Sequence, residues 1–326
     1  MQDGQSTPSA KANPALPGAY GTRAYAQCLE HLGQPVELPA SGGWVLERAW
    51  DGCVDATGPY PLLCPSDPSR LERDFEDLAS KWLSVAAVID PMIELAPDVL
   101  QRAFPDRWVA YKEHFVVDLS KPLETTLSGH HQRKAKRGER RVRIEWNEGG
   151  EAWGDDWDDG WDDDWVALYQ ALSAHHQISG PAAFSAASLV GQLRLPRTLV
   201  QRALIDDDVV SMVVWYPRGE GVSYHLGASL PAGYAASASY ALFADALRRF
   251  QAQGLAWAHL GAGAGVQAGS AGLTAFKAGW ASHSRTAYFG GRVGQRERYQ
   301  ALCASAGLDP NGPFFPAYRA PRPSNP

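Results

Sequence analysis

The chain has 326 residues, 45% of them hydrophobic and 20% charged. That length and balance exclude a disordered or fibrous chain and allow two globular domains of modest size. The formal net charge of −6 excludes a generic nucleic-acid coat.

Met1–Pro17 is polar and rich in Ser, Pro and Ala, and it is read as a disordered lead without the apolar core of a secretion signal. The spacing predicts a short helix within Ala19–Gly33, with Tyr25, Leu29 and Leu32 on one side. Strands are expected at Trp44–Trp50 and Pro61–Cys64. Asp67-Pro68 starts a helix, with Asp67 as cap and Pro68 in the first turn. Leu71, Phe75, Leu78 and Trp82 then recur at helical spacing. A buried strand over Ser84–Ile89, a helix over Ala96–Phe104 and a strand over Trp108–Leu119 follow, an α/β layer order. Cys28, Cys53, Cys64 and Cys303 form no CxxC pair, so neither a zinc site nor a disulfide framework is expected, and reduced cytoplasmic thiols are the default.

Ser120 is expected to cap the next helix, which carries Leu123, Leu127 and a basic run. The run holds Arg133, Lys134, Lys136, Arg137, Arg140, Arg141 and Arg143. Two readings stand side by side: a solvated helix face, or a seat for a phosphate-rich partner such as a tRNA acceptor end, a nucleotide sugar or a CoA. A strand over Arg141–Trp146 leads to the Asp/Trp run 153–165. Its spacing fits no EF-hand loop. Trp153, Trp157, Trp161 and Trp165 recur every fourth residue, which fits one apolar face of an acidic helix entry.

Helices are expected over Val166–His175 and Ala182–Leu193, and His176 is placed beside an acceptor site. Leu199–Ile205, Val209–Tyr216 and Val222–Ser229 form an antiparallel meander. Helix Ser237–Gln253 stops at Gly254. A strand follows over Leu255–Leu260, then the turn Gly261–Gly265 and a short amphipathic helix carrying Phe276 and Lys277. A last strand ends at Tyr288-Phe289. The turn is not GxGxxG and follows a late strand, so a dinucleotide site is not expected. Its glycines allow a close backbone approach to a ligand. No run is long and apolar enough for a membrane span.

These motifs, in order, resemble the FemABX-like branch of the GNAT acyltransferase superfamily. The pieces are Asp118-Leu-Ser120 before the basic helix, Tyr224-His-Leu-Gly-Ala228, Leu260-Gly-Ala-Gly263, and Leu273-Thr-Ala-Phe-Lys-Ala-Gly279. The resemblance implies an α/β fold of mixed sheets with two GNAT-like domains, the second better defined. A degenerate domain over 18–140, to which residues 317–326 can return, would precede an acyltransferase domain over 141–316. It also implies N-acyl transfer without an acyl-enzyme, and gives the Phe276-Lys277 pair a role at the developing oxyanion or at the donor phosphate. His225 on the central strand is the candidate proton acceptor, and against that stands a plain core histidine. Tyr224, Phe276, Trp257, His176, Gly261 and Gly263 are candidate substrate-binding residues. Arg133, Lys134, Lys136, Arg137 and Arg141 are candidates for tRNA or phosphate.

CoA-dependent relatives usually carry Q/R-x-x-G-x-G/A after the central strand. Here Leu230–Ser237 has one glycine and no cation. That favours aminoacyl-tRNA as donor, with no cofactor and no metal, and an amine of a small molecule or peptidoglycan precursor as acceptor. An acyl-CoA-dependent enzyme and a catalytically silent binding module remain the alternatives.

Overall fold

The computed structural model describes residues 18–148, 160–263 and 271–321. Its strands are β1 (Gln34–Leu38), β2 (Gly43–Trp50), β3 (Cys53–Thr57), β4 (Ser84–Val88), β5 (Arg107–Asp118), β6 (Arg143–Glu148), β7 (Leu199–Ile205), β8 (Asp208–Arg218), β9 (Gly221–Ser229), β10 (Trp257–Gly261) and β11 (His283–Val293). Helices lie between them, so the fold is mixed α/β, as expected. Contact density divides the described chain into two compact units that interleave in sequence. One comprises His114–Ser179 with Leu193–Ser284, the other Pro17–Glu113 with Gly180–Gln192 and Arg285–Pro326. The sequence reading places its boundary at 140/141, with residues 317–326 able to return to the first domain.

In the first unit the sheet runs from the end of β5 through β10, β9, β8 and β7 to β6. Only β9 and β10 pair in parallel; the other neighbours are antiparallel. The parallel pair needs a crossover, and helix Ala238–Ala252 supplies it. Its apolar positions Leu242, Phe243, Leu247 and Phe250 pack with Trp215, Val222, Leu260 and Trp280 in the unit's main core. Burial of a large side chain such as Phe250 is worth roughly 1.5–3 kcal/mol, so this cluster dominates the unit's stability. Helix Gly160–His176 packs on β8 and β9, with Trp161 and Trp165 buried as the four-residue spacing predicts. Trp153 and Trp157 lie outside the described residues.

Two of the three described aspartates of that acidic stretch are held by cations. Buried Asp162 pairs with Arg194, and Asp164 pairs with Arg202 at 2.9 Å. The Arg202 guanidinium also lies 4.2 Å from the Trp161 ring centroid. Here the run docks a helix, and no group of metal-ligating side chains occurs among the described residues.

In the second unit β1, β2 and β3 form an antiparallel meander, β3 pairs in parallel with β4, and β4 pairs antiparallel with β11. Helices Leu71–Asp77 and Pro97–Ala103 cover one cluster through Leu71, Phe75 and Leu100. Helix Arg296–Ser305 and the turn Ala317–Arg319 join a second cluster through Tyr299, Cys303 and Tyr318. The expected strand at Pro61–Cys64 reduces to one isolated bridge, Leu63 to Ile89. The helix expected to reach Trp82 ends at Asp77; Trp82 lies beyond it, buried, with its indole donating to Glu47 at 2.5 Å. None of the four cysteines is in a disulfide.

The basic run is helical over Gly129–Glu139, but its cap is not Ser120. The Ser120 hydroxyl turns back onto Asp118, Leu123–Thr126 is a separate short helix, and Ser128 accepts from the His131 amide as the true N-cap. A serine competes for whichever backbone donor its local turn presents, and two serines eight residues apart read alike in sequence.

Candidate active site

β9 and β10 are paired only at Gly221–Ser223 against Trp257–His259 among the described residues. β9 nevertheless continues to Ser229. The two central parallel strands therefore part at Tyr224. On β10's other side the register with β5 slips between His259 and Gly261, and Gly261 has φ +70°. A glycine tolerates that conformation without strain, and an irregularity of this kind re-aims the chain beyond it. The carbonyl of Ala262 is thereby offered to helix Ala271–Ala278.

Lys277 sits in that helix, only 5% exposed. Its ammonium donates to the Ala262 carbonyl at 2.6 Å and lies 4.8 Å from the Tyr224 ring centroid. A buried cation held by a carbonyl and a π-face loses much of its hydration, and its field is correspondingly strong. Tyr224 packs on Phe243, with ring centroids 5.2 Å apart. Phe276 packs edge-on against Phe243 and Tyr240, each at 4.9 Å. Lys277, Phe276, Tyr224 and Gly261 thus come together where the strands part. Gly263 is two residues beyond Gly261, at the edge of the described turn.

His131 ties the basic helix to this group. Its Nε2 is 2.8 Å from the Phe276 carbonyl, which fixes that nitrogen as the donor. Its Nδ1 is 2.8 Å from the Ser128 hydroxyl and accepts from it. Burial lowers its pKa, with the Phe276 carbonyl acting in the opposite direction. The neutral tautomer is consistent with both bonds. Gly279 lies so close to the ring that a Cβ there would overlap it. From that contact the basic helix runs about 12 Å to Glu139 at 1.5 Å per residue. Arg133, Lys136, Arg137, Arg140 and Arg141 are exposed and Lys134 half-buried, opposite the buried His131, Ala135 and Gly138.

Other sequence candidates lie elsewhere. His225 faces the opposite side of β9 from Tyr224. It stacks on Tyr216 at 4.4 Å, and burial lowers its pKa to about 3. A histidine so held is a weak proton acceptor at neutral pH, so this geometry does not favour the expected base role. It does set a pH response. The unfolded imidazole, near 6.5, binds a proton that the folded one refuses. The contribution to stability is therefore full above pH 6.5 and is lost as pH falls toward 3. Denaturant midpoints of His225→Gln are expected to depend less on pH than wild type across that window; parallel curves would remove His225 as a cause.

Trp257 occupies the other end of β10 from Gly261, about 13 Å away at 3.3 Å per residue, and packs on Gly221. His259 is buried, with Nε2 2.9 Å from His114 Nδ1. His176 is exposed at the end of its helix and meets His175 edge-on at 4.7 Å. His114 and His131 carry no sequence signal, because both partnerships span more than 140 residues.

Against solved structures, the chain is similar to FemX, with 10% identity and a TM-score of 0.62 over 86% of this chain and 93% of that one. It is similar to the C-terminal domain of a putative lysylphosphatidylglycerol synthetase from Agrobacterium fabrum, with 14% identity and a TM-score of 0.60 over 87% and 91% of the two chains. It also matches L-PGS from Bacillus licheniformis, with 13% identity and a TM-score of 0.54 over 88% and 94%. No protein-family model matches the chain, and no curated protein matches it. No helix among the described residues is long and apolar enough to cross a membrane. The fold is similar to that of FemX, which agrees with the resemblance read from the motifs.

Proposed function

We propose that this chain, folded like FemX and the lysylphosphatidylglycerol synthetase domain, is an N-acyltransferase that moves an aminoacyl group from tRNA to an amine. The observation that carries the proposal is the buried Lys277 ammonium at the point where β9 and β10 part. Direct transfer forms an amide bond and breaks the ester bond to the tRNA 3′ ribose; the amine proton leaves with the ribose oxygen. The protein has to hold the two reactants together and stabilise the tetrahedral oxyanion. Lys277 is the residue placed to do the second, with Phe276 and Tyr224 packing its surroundings. The similarity to a structure named for lysylphosphatidylglycerol synthesis supports the reading without extending to its acceptor. The acceptor proposed here is an amine of a small molecule or cell-wall precursor.

The basic helix supports the tRNA donor. Arg133, Lys134, Lys136, Arg137 and Arg141 form one solvent-facing side, and among the described residues no carboxylate pairs with Arg133, Lys134, Lys136 or Arg137. For Arg137→Ala with Arg141→Ala, the slope of log affinity for tRNA against log salt is expected to fall by about 0.7–0.9 per contact removed. An unchanged slope would take the phosphates off this face.

Incubating the protein with charged tRNA and a panel of amines tests the proposal. Amide product that disappears after RNase treatment supports it. Product that survives RNase and requires an acyl-CoA would replace the tRNA donor.

A further inference from the structure

Tyr234 has no role so far. At 57% exposure it is the most exposed large aromatic or aliphatic side chain among the described residues. Its backbone is nevertheless fixed. The tyrosine is in helix Pro231–Ala236. The Leu230 amide donates to the Val210 carbonyl at 2.9 Å, the Tyr234 amide to Leu230 at 3.1 Å, and the Ser237 amide to Tyr234 at 3.1 Å. Gly233, one residue earlier, is buried against the Val210 carbonyl. An aromatic ring displayed from a rigid turn loses little freedom when something stacks on it.

The basic helix meets this same turn at two points. Arg141 Nη1 donates to the Ala235 carbonyl, adjacent to Tyr234, at 3.3 Å. A Cβ at Gly138 would lie 2.5 Å from the Ser237 carbonyl, so only glycine permits that approach. The C-terminal end of the basic face is therefore fixed beside the turn that carries the exposed ring. Arg137 and Arg140 are exposed there and have no carboxylate partner among the described residues.

An exposed ring beside unpaired cations matches the two requirements for single-stranded nucleic acid: a π-face for a base and positive charge for its phosphates. A duplex would use the charge and leave the ring idle, because its bases are already stacked. We infer that Tyr234 stacks an unpaired base at the 3′ end of an RNA whose phosphates lie on Arg137, Arg140 and Arg141. The inference rests on the tRNA-donor reading and adds a residue that tells a single-stranded end from a duplex.

Anisotropy with the full chain tests it. The probes are labelled uncharged tRNA, the same tRNA trimmed of its unpaired 3′ nucleotides, and a blunt RNA duplex. Phosphatidylglycerol–phosphatidylcholine vesicles provide an arm for an anionic lipid surface. Tyr234→Ala is expected to bind intact tRNA about 10-fold more weakly and to bind trimmed tRNA and duplex as wild type does. Tyr234→Phe should keep wild-type affinity, since the stack needs the ring and not the hydroxyl. Equal binding of intact tRNA by wild type and Tyr234→Ala overturns the inference, as does an equal loss on all three RNAs. Tyr234-dependent vesicle binding without a preference for the intact end also overturns it, in favour of a lipid. If wild type binds no RNA at all, the donor reading fails together with this one. If it binds RNA and Tyr234→Ala changes nothing, only the stacking role fails.

Discussion

Lys277→Met is expected to lower kcat for amide formation by about 10²-fold or more while leaving the donor KM within a few-fold of wild type. Methionine keeps most of the apolar stem and removes only the charge. In the substrate complex the carbonyl carbon is uncharged; in the tetrahedral state its oxygen carries a full negative charge. A cation at 5% exposure, held by Ala262 and Tyr224, interacts far more strongly with the second than with the first. The loss therefore belongs in kcat. The substitution also leaves the Ala262 carbonyl without its Lys277 donor, a cost of about 1 kcal/mol to stability, so a circular-dichroism melt should accompany the kinetics. A kcat close to wild type would remove Lys277 from the chemistry. A raised KM with unchanged kcat would make it a ground-state contact.

Asp55→Ala is expected to destabilise the second unit by about 3–5 kcal/mol, read as a fall in its urea midpoint. The Asp55 carboxylate is fully buried. It accepts from Arg319 Nε at 2.5 Å and Nη2 at 3.0 Å, from Arg48 Nε at 3.1 Å, and from the Tyr318 hydroxyl at 2.8 Å. Burial first, and then the Asp55 charge, push the Tyr318 phenol up, so it stays a hydroxyl and donates. The Arg319 guanidinium also lies 4.3 Å from the Trp50 ring centroid. One carboxylate thus anchors the turn Ala317–Arg319 on β3, with two guanidiniums converging on it. Removing the carboxylate strands both cations in a mostly buried setting, and that cost exceeds the worth of any single bond lost. Asp55→Asn keeps the shape and one acceptor and should cost less than Asp55→Ala. A midpoint change equivalent to less than about 1 kcal/mol for Asp55→Ala would mean that these bonds are exchanged for water without penalty.

The same network shows why part of the fold escapes a sequence reading. β3, Cys53–Thr57, places a charged residue in a fully buried position. Its pattern therefore breaks the alternation that marks a strand. β1, Gln34–Leu38, has the intermediate and exposed positions of an edge strand, with one buried residue, and offers little periodicity. Helix Arg296–Ser305 buries only Tyr299 and Cys303. By contrast, β7, β8 and β9 are largely buried apolar runs bounded by polar turns and are legible to within about two residues. Of the candidate site, Phe276, Lys277, Tyr224 and Gly261 were legible through the resemblance and meet in space. His131 was not, since its importance comes from a carbonyl 145 residues away. Trp257, a candidate binding residue, is carried by strand length away from the parting of β9 and β10.

Single-turnover transfer from radiolabelled aminoacyl-tRNA tests the central claim most directly. Wild type should convert ester-bound label into acid-stable amide on an added amine, with the tRNA 3′ end released in equal amount, and Lys277→Met should leave the label on the tRNA at the same time point. Amide formed equally fast by Lys277→Met would contradict the account. So would label released only as free amino acid in the presence of every amine of the panel.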